Sequence, residues 1–168
     1  MRFMPYQDCE EALIRSWIRS EKEYYQWSAG VLGDYPLTQG RLNAFYQEWK
    51  SGQKYMVFCA CDETMKPMGH LIMRYPEGDP RHLRFGFVLV DPARRGEGIG
   101  RRMLGMAIAY ARDFLKAETV CLGVTTDNPD AKHLYESLGF CDTGEREEID
   151  CGAILLYEEL QLDLRKPK

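Results

Sequence analysis

The sequence predicts an α/β fold in which a mixed central sheet carries helices on both faces. Two observations lead to this prediction. Apolar runs of strand length alternate along the chain with segments whose apolar residues recur at helical spacing. In addition, a glycine-rich loop at residues 94–100 separates a strand pattern from a long helix pattern, and a further strand pattern follows. This order is typical of a strand–helix–strand crossover within one sheet.

The first half of the chain is predicted to contain three strands and two helices. The strands cover residues 1–6, 55–62 and 68–75. The first helix begins at the start signal Asp8-x-x-Glu11 and carries Leu13, Ile14, Trp17 and Ile18 at helical spacing. A loop rich in glycine and aromatic residues is expected from 27 to 36. Thr38 is expected to cap the second helix, which ends near Ser51-Gly52.

The second half is predicted to contain four strands and two helices. The strands cover residues 83–90, 119–124, 141–147 and 153–162. One helix covers 101–116, with Gly105 and Ala107 small enough to approach the sheet closely. The other starts at Asn128-Pro129, with proline at its first position, and stops at Gly139. The whole order is therefore β-α-α-β-β-β-α-β-α-β-β.

Length and composition indicate one domain over residues 1–168, large enough to bury about 70% of its unfolded surface. Charged residues make up 29% and hydrophobic residues 45%. The net charge of −4 argues against a nucleic-acid partner, which would require a basic surface. No apolar run approaches the roughly 20 residues needed to cross a bilayer, and the N-terminus lacks a signal-peptide pattern. A cytoplasmic protein with no membrane partner is the default expectation.

The six cysteines do not form a zinc or disulfide pattern. Only Cys59 and Cys61 are closely spaced, and in a strand both face the same side. No Cys-x-x-Cys pair or histidine-paired motif is present, so no metal is expected. Reduced, mostly buried thiols that act as small hydrophobic side chains are the prediction.

The glycine-rich loop, Arg94 to Gly100, predicts an anion site. A loop of this kind between a strand and a helix turns several backbone N–H groups toward one phosphate, and the helix dipole adds to the attraction. The P-loop pattern fails because no Gly-Lys-Ser/Thr stands in register, and the dinucleotide fingerprint fails at Arg101. What remains is Arg95-x-x-Gly98-x-Gly100. A plain glycine-rich turn is the alternative interpretation.

A second motif runs from Asn128 through Ala131, Leu134 and Tyr135 to Gly139-Phe140. Its helix is amphipathic, so Tyr135 taken alone could be a core aromatic residue. Taken together, this motif, the strand ending in Asp91-Pro92 and the glycine-rich loop resemble the Gcn5-related N-acetyltransferase (GNAT) family. The resemblance follows nearly the whole chain in element order and is strongest over residues 85–140. It implies a mostly antiparallel sheet and an acetyl-CoA donor.

The resemblance also implies which residues hold the donor. Arg95 and the backbone N–H groups of Gly96, Glu97, Gly98, Ile99, Gly100 and Arg101 would surround the pyrophosphate. The pantetheine arm would lie like an extra strand beside Val88, Leu89 and Val90, opposite residues 119–124. A backbone N–H near Leu89 or Val90 would polarise the thioester carbonyl. Asn128 would hydrogen-bond the arm, and Tyr135 would point at the thioester sulfur as the catalytic residue.

The sequence departs from the family pattern at the general base. Neither 84–87 nor 122–125 contains the carboxylate that many members carry there. His70, Glu77 and His82 are candidates by rough location, although each could be an ordinary structural or surface residue. A site without an obvious base suits an amine of low pKa, because a lysine amine costs about 4.6 kcal/mol to neutralise at pH 7, against about 1 kcal/mol for an α-amine.

Two further segments could line the acceptor site. The acidic run 145–150 is expected between the last two strands, where it could attract a cation or simply be a solvated turn. The aromatic segment Tyr24-Tyr25-Gln26-Trp27 is expected in a loop, where it could wall the acceptor pocket or pack in the core.

The sequence thus predicts transfer of an acetyl group from acetyl-CoA to a primary amine, by direct attack in a ternary complex. A protein N-terminus or a small molecule would serve as acceptor, and a homodimer is possible. Two alternatives remain on the same fold. One is a non-catalytic acyl-CoA-binding or regulatory module, which Tyr135 disfavours. The other is a transferase that uses a bulkier acyl-CoA.

Overall fold

Seven strands form a single sheet in the order β1-β2-β3-β4-β5-β7-β6. The computed structural model describes residues 1–50, 55–152 and 154–165, without the side chains of Trp49, Lys50 and Glu77. The strands are β1 (Arg2–Pro5), β2 (Tyr55–Cys61), β3 (Pro67–Arg74), β4 (His82–Val90), β5 (Thr119–Thr125), β6 (Cys141–Asp150) and β7 (Ile154–Asp163). The helices are α1 (Glu11–Ser16), α2 (Glu21–Ser28), α3 (Arg41–Lys50), α4 (Ile99–Asp113) and α5 (Pro129–Ser137). Among these strands only β4 and β5 pair in parallel, so the predicted mixed, mostly antiparallel sheet is confirmed.

Among the described residues, three α-helices, not the predicted two, lie between β1 and β2. The additional helix is α2, which contains the aromatic segment that was expected to lie in a loop. Ser20 begins it by accepting a hydrogen bond from the Glu23 backbone N–H at 3.2 Å, and the Glu23 carboxylate accepts from the Arg19 N–H at 3.0 Å. The pattern Ser20-x-x-Glu23 is a helix-start signal that was readable in the sequence.

Two of the helices, α3 and α4, start directly after glycines in the left-handed region. Helix α3 begins at Arg41 and not at Thr38, because Gly40 has φ +81° and its carbonyl accepts the first helical hydrogen bond, from Ala44. Helix α4 likewise begins at Ile99, two residues earlier than predicted, directly after Gly98. The predicted end of the second helix at Ser51-Gly52 lies outside the described residues. No helix among the described residues is long and apolar enough to span a bilayer.

Strand β6 is longer than predicted and includes the acidic run. Residues 145–150 pair with β7 and are not a turn, since Arg146, Glu147 and Glu148 stand opposite Glu158, Tyr157 and Leu156. The pairing persists because β6 is an edge strand whose side chains are nearly all exposed, so that charged residues cost no burial. The predicted start of the last strand, residue 153, lies outside the described residues.

Two apolar clusters cover the two faces of the sheet. On one face, which we call the back face, helix α4 buries Met103, Leu104, Ala107, Ile108 and Ala111 against β3, β4 and β5. The opposite, front face carries residues of α1, α2 and α3, among them Ile14, Trp27 and Tyr46. Ala107 approaches the sheet as predicted. Gly105 does not, because a Cβ built there would meet no atom within 4 Å.

The thiols only partly follow the prediction. Cys59 and Cys61 are buried together in the front cluster, as expected for alternate residues of one strand. Cys9 and Cys141 are exposed, however, and Cys121 and Cys151 are half-buried, so the thiols are not mostly buried. All six are free. Within the described residues, no group of three or more histidine, cysteine or carboxylate side chains could hold a metal ion.

Strand β4 contains a bulge at Phe87, which has φ +50° although it is not a glycine. The register with β3 shifts between His70, opposite Leu89, and Ile72, opposite Gly86. As a result, Leu83 and Phe85 belong to the back cluster while Phe87 and Leu89 belong to the front cluster. In a regular strand all four would face the same side.

His70 lies fully buried beside this bulge, between β4 and α3. Its Nδ1 is 3.2 Å from the carbonyl oxygen of Phe87, and its Nε2 is 3.1 Å from the hydroxyl of Tyr46. Because a carbonyl can only accept, Nδ1 carries the proton and Nε2 accepts the Tyr46 hydroxyl. Burial lowers the pKa of His70 to about 4, so the ring is neutral at pH 7.

Acidification is expected to destabilise the fold through His70. The unfolded chain binds the extra proton below pH 6.5 and the folded chain only near pH 4, so stabilisation is complete above pH 6.5 and is lost as the pH falls to 4. Between pH 7 and pH 4.5 the loss should reach about 2 kcal/mol. This loss is measured as the free energy of unfolding in denaturant, for the wild type and for His70→Phe, at pH 7 and at pH 4.5. An equal pH dependence in the two proteins would contradict this assignment.

Candidate functional site

A cavity of about 580 Å³ lies where β4 and β5 separate. These strands pair only over His82–Arg84 and residues 119–121, after which they diverge. The gap continues past the loop at the start of α4 and is closed by α5 on one side and α2 on the other. The lining includes all the predicted site residues except one: Val88, Leu89, Val90, Arg95, Gly96, Gly98, Ile99, Gly100, Arg101, Asn128 and Tyr135 line it, and Glu97 does not.

The glycines of the loop have two different functions. Gly96 and Gly98 have φ values of +86° and +73°, which only glycine adopts without strain. Gly100 allows close packing, because a Cβ there would lie 3.1 Å from Leu134 Cδ2 and that side chain would have to shift. The first helical hydrogen bond comes from the Arg102 N–H to Gly98, so the N–H groups of residues 99–101 have no partner within the helix. Three backbone donors and the positive end of the dipole therefore meet at the cavity.

Charged side chains around the loop favour an anion. The first turn of α4 has no acidic residue and contains Arg101. The Glu97 carboxylate is bound by Arg94 at 2.8 Å, which explains why Glu97 does not line the cavity. Arg101 donates to Ser137 Oγ at 2.7 Å, on the last turn of α5. The loop thus combines unpaired N–H groups with arginine side chains, the combination that binds phosphates.

The β4 edge supplies unpaired backbone groups to the gap. Asp91 donates its N–H to the Met68 carbonyl of β3 at 2.9 Å. Backbone groups of alternate strand residues point to the same neighbour, so the Leu89 N–H also points to β3. The N–H and C=O groups of Val88 and Val90 therefore point toward the gap, where an extended ligand could pair with them.

Asn128 and Tyr135 approach the gap from α5. Asn128 caps the helix by accepting from the Ala131 N–H at 3.3 Å, which leaves its side-chain NH₂ group free for a ligand. Tyr135 lies about two turns further along α5, almost completely buried against Phe140. It lines the cavity, and its hydroxyl makes no hydrogen bond to any residue that the structure describes. Burial raises the pKa of Tyr135, so the hydroxyl is neutral and able to donate.

Helix α2 forms a wall of the cavity with Glu23, Gln26 and Trp27. Glu23 accepts from Arg95 at 3.0 Å, and Gln26 donates to Asp127 at 2.8 Å, so α2 is attached to both sides of the cleft. The structure shows which aromatic residues of α2 line the cavity and which pack in the core, a distinction that the sequence did not allow. Tyr24 is buried in the core and donates to the Gly33 carbonyl, whereas Trp27 lines the cavity with its ring centroid 4.9 Å from that of Phe87.

Neither of the two histidines that were candidate bases lies in the cavity. His70 is fully buried and both its ring nitrogens are engaged, as described above. His82 lies at the opposite end of β4, where its Nδ1 is 2.6 Å from Thr119 Oγ1. The side chain of Glu77 is outside the described part of the chain. Among the described residues, the carboxylates that line the cavity are Glu23, whose pKa is lowered in part by its contact with Arg95, and Asp130.

A second recess, of about 260 Å³, contains charged residues that the motifs did not reveal. Glu159 of β7 stands opposite Gly123, and both its carboxylate oxygens accept from Arg84 Nη1, at 2.7 and 2.8 Å. A Cβ at Gly123 would lie 3.1 Å from this guanidinium, so the pair adjoins the cavity floor. Glu145 and Glu147 of the acidic run also line the recess. These side chains come together because of the cross-strand register, which no local sequence pattern reveals.

Comparison with known proteins agrees with this geometry. The profile of the acetyltransferase (GNAT) family matches residues 7–140. The N-acetyltransferase 9-like protein of Caenorhabditis elegans is 22% identical over 156 residues, or 84% of this chain and 75% of that protein. The L-amino acid N-acyltransferase MnaT of Escherichia coli is 35% identical over 89 residues, and this match spans about half of each chain (51% of both).

Solved structures agree in fold. Spermidine N-acetyltransferase from Vibrio cholerae, in complex with CoA and spermine, superposes with a TM-score of 0.82 over 98% of this chain and 96% of its own. At 18% identity this likeness shows the fold alone. The family match covers most of the chain, and the cavity contains the loop, strand edge and tyrosine that the resemblance implied. The chain belongs to the GNAT family, a family of acyl-CoA-dependent acetyltransferases.

Proposed function

We propose that this protein transfers the acetyl group of acetyl-CoA to a primary amine by direct attack in a ternary complex. The observation that carries the proposal is one continuous cavity, which joins the N-terminus of α4, the open edge of β4 and the free hydroxyl of Tyr135. An anion site, an extended polar slot and a hydrogen-bond donor thus follow one another in the order that a phosphorylated thioester requires.

The residues present fit this donor. The unpaired N–H groups of residues 99–101, with Arg95 and Arg101 nearby, would hold the pyrophosphate. Val88 and Val90 would pair with the amide groups of the arm, and the free NH₂ group of Asn128 would donate to it. Acetyl-CoA, when bound, supplies an activated thioester. A backbone N–H of β4 would stabilise negative charge on the carbonyl oxygen, which refines the sequence expectation from Leu89 or Val90 to Val88 or Val90.

Tyr135 would act as a hydrogen-bond donor and not as a full acid. A thiol has a reference pKa near 8.5 and tyrosine near 10, so complete proton transfer to the leaving sulfur is uphill by about 2 kcal/mol. Burial raises the pKa of Tyr135 further, which makes complete transfer harder. Donation of a hydrogen bond stabilises the developing thiolate without that cost.

The acceptor would be an amine of low pKa, such as a peptide α-amine or a small α-amino compound. The pKa of Glu23 is lowered by the Arg19 N–H and by Arg95, which makes this carboxylate a weaker base, and the Glu159 carboxylate next to the cavity floor is paired with Arg84. An α-amine is partly neutral at pH 7 and requires little help, whereas a lysine amine requires about 3.6 kcal/mol more. The named acceptors of the relatives range from spermidine to L-amino acids, so this assignment rests on the chemistry of the site.

Gly98→Ala is expected to weaken acetyl-CoA binding at least tenfold. Alanine is strained at φ +73°, and relief of that strain would turn the first N–H groups of α4 away from the phosphates. Calorimetric titration with acetyl-CoA measures the affinity. Gly78→Ala is the matched control, since Gly78 has φ +78° and a Cβ there also meets no atom within 4 Å. Equal affinity losses in the two variants would contradict a phosphate role for Gly98.

Tyr135→Phe is expected to lower kcat by roughly 10- to 100-fold while the acetyl-CoA dissociation constant changes less than about threefold. The variant keeps the ring in its buried position and removes only the donor to the leaving sulfur. Steady-state CoA release and acetyl-CoA titration give the two quantities, and Tyr110→Phe, on the far part of α4, is the control. An unchanged kcat, with chemistry shown to limit the rate, would remove Tyr135 from the mechanism.

A panel of amines tests the reaction itself. CoA thiol release is measured with a peptide N-terminus, a free α-amino acid, a polyamine and an Nα-blocked lysine at pH 7 and pH 9. At pH 7 we expect the α-amines to react at least tenfold faster than the Nα-blocked lysine. At pH 9 this difference in rate should narrow, because the lysine amine loses its proton. Preference for lysine at pH 7 would contradict the acceptor assignment. Binding of acetyl-CoA without release to any amine would favour the non-catalytic module, and faster reaction of propionyl- or succinyl-CoA would favour the bulkier donor.

A further inference from the structure

We propose that His70 is a positioning residue, which holds the bulge of β4 so that backbone N–H groups of Val88 and Val90 point into the cavity. The proposal rests on the proposed function, because it concerns how the same site is prepared for the thioester carbonyl. His70 does not itself line the cavity and would touch neither substrate.

The bulge needs an external support. Phe87 has φ +50°, a conformation that costs an L-residue with a bulky side chain about 1–2 kcal/mol. At this position the ladder to β3 is interrupted, since the register changes between His70 and Ile72. A carbonyl released from a ladder in the protein interior requires another donor. The His70 Nδ1–H supplies it, at 3.2 Å from the Phe87 oxygen.

His70 is in turn fixed from α3. The Tyr46 hydroxyl donates to Nε2 at 3.1 Å, and both side chains are almost fully buried, so neither can exchange its partner for water. The Phe87 ring is packed at the same time, with its centroid 4.9 Å from that of Trp27 and 5.8 Å from that of Phe45. The carbonyl group and the ring of Phe87 are therefore held by separate contacts, and together these contacts fix the backbone conformation of the residue.

This arrangement decides the direction of the next residues. The side chains of Phe85 and Phe87 face opposite sides of the sheet although they are two residues apart. Without the extra residue, every later residue of β4 would turn over, and the N–H groups of Val88 and Val90 would no longer face the gap. A shift of about 1 Å in a catalytic donor can lower a rate about 100-fold. The orientation of the donor thus depends on a side chain on the neighbouring strand.

Substitutions of His70 distinguish a role in positioning the β4 bulge from a role in filling the core. His70→Phe fills the space and removes the donor to Phe87. His70→Asn retains a short side chain whose NH₂ group can occupy the place of Nδ1–H. We expect kcat to fall 10- to 100-fold in His70→Phe, with the acetyl-CoA dissociation constant changed less than threefold, and to recover at least fivefold in His70→Asn. Tyr46→Phe, which keeps the histidine, should show a smaller loss.

Ile14→Ala is the stability control, because Ile14 is fully buried in the same front cluster but on α1. The unfolding temperature of Ile14→Ala should fall at least as much as that of His70→Phe, while its kcat stays unchanged. A kcat loss that follows the unfolding temperature across all four variants would overturn the positioning role, and so would equal kcat values in His70→Phe and the wild type.

A spectroscopic measurement needs no acceptor. The ¹³C resonance of carbonyl-labelled acetyl-CoA should shift on binding to the wild type and return toward the free value in His70→Phe, with His70→Asn between them. The same shift in all three proteins would overturn the inference. Failure of the wild type to bind acetyl-CoA would instead overturn the proposed function, so the two failures are distinguishable.

Discussion

The early separation of β4 from β5 is the constraint on which the rest of the site depends. Parallel pairing stops after Arg84 and Cys121, and from that point each strand has an edge inside the sheet. Unpaired backbone groups in a protein interior are costly unless a ligand or water satisfies them. The gap is therefore both a weakness of the sheet and its binding surface, and the glycine-rich loop, α5 and α2 are arranged around it.

Two structural features shape the gap between β4 and β5. At the lower end, Gly123 leaves room for the Arg84–Glu159 pair, which ties β4 to β7 through charge. Higher up, the bulge at Phe87 changes which backbone groups of β4 face the gap. Neither feature touches the loop at the start of α4, so the proposed phosphate site and the proposed site of the thioester carbonyl have separate structural origins.

Helix α2 connects the donor and acceptor sides. Glu23 is bound to Arg95 of the loop while Trp27, one turn further, packs on Phe87 of the bulge. Both ion-pair partners are partly exposed, and such pairs contribute at most about 1 kcal/mol. That energy is small for stability, yet a contact of this size is easily exchanged when a phosphate competes for the arginine.

The sheet type and the order of the elements apart from α2 could be predicted from the sequence, and eleven of the twelve residues expected to hold the donor line the cavity. These features depend on local chemistry. A positive φ demands glycine at 96 and 98, and a helix start demands a residue such as Asn128. The Ser20-x-x-Glu23 signal of α2 was also present but overlooked. Only the tertiary structure decided that His70 supports Phe87, that Glu159 meets Arg84 and that Trp27 closes the cavity. These meetings join residues from 17 to 75 positions apart or depend on strand register, and register follows from packing of the whole sheet.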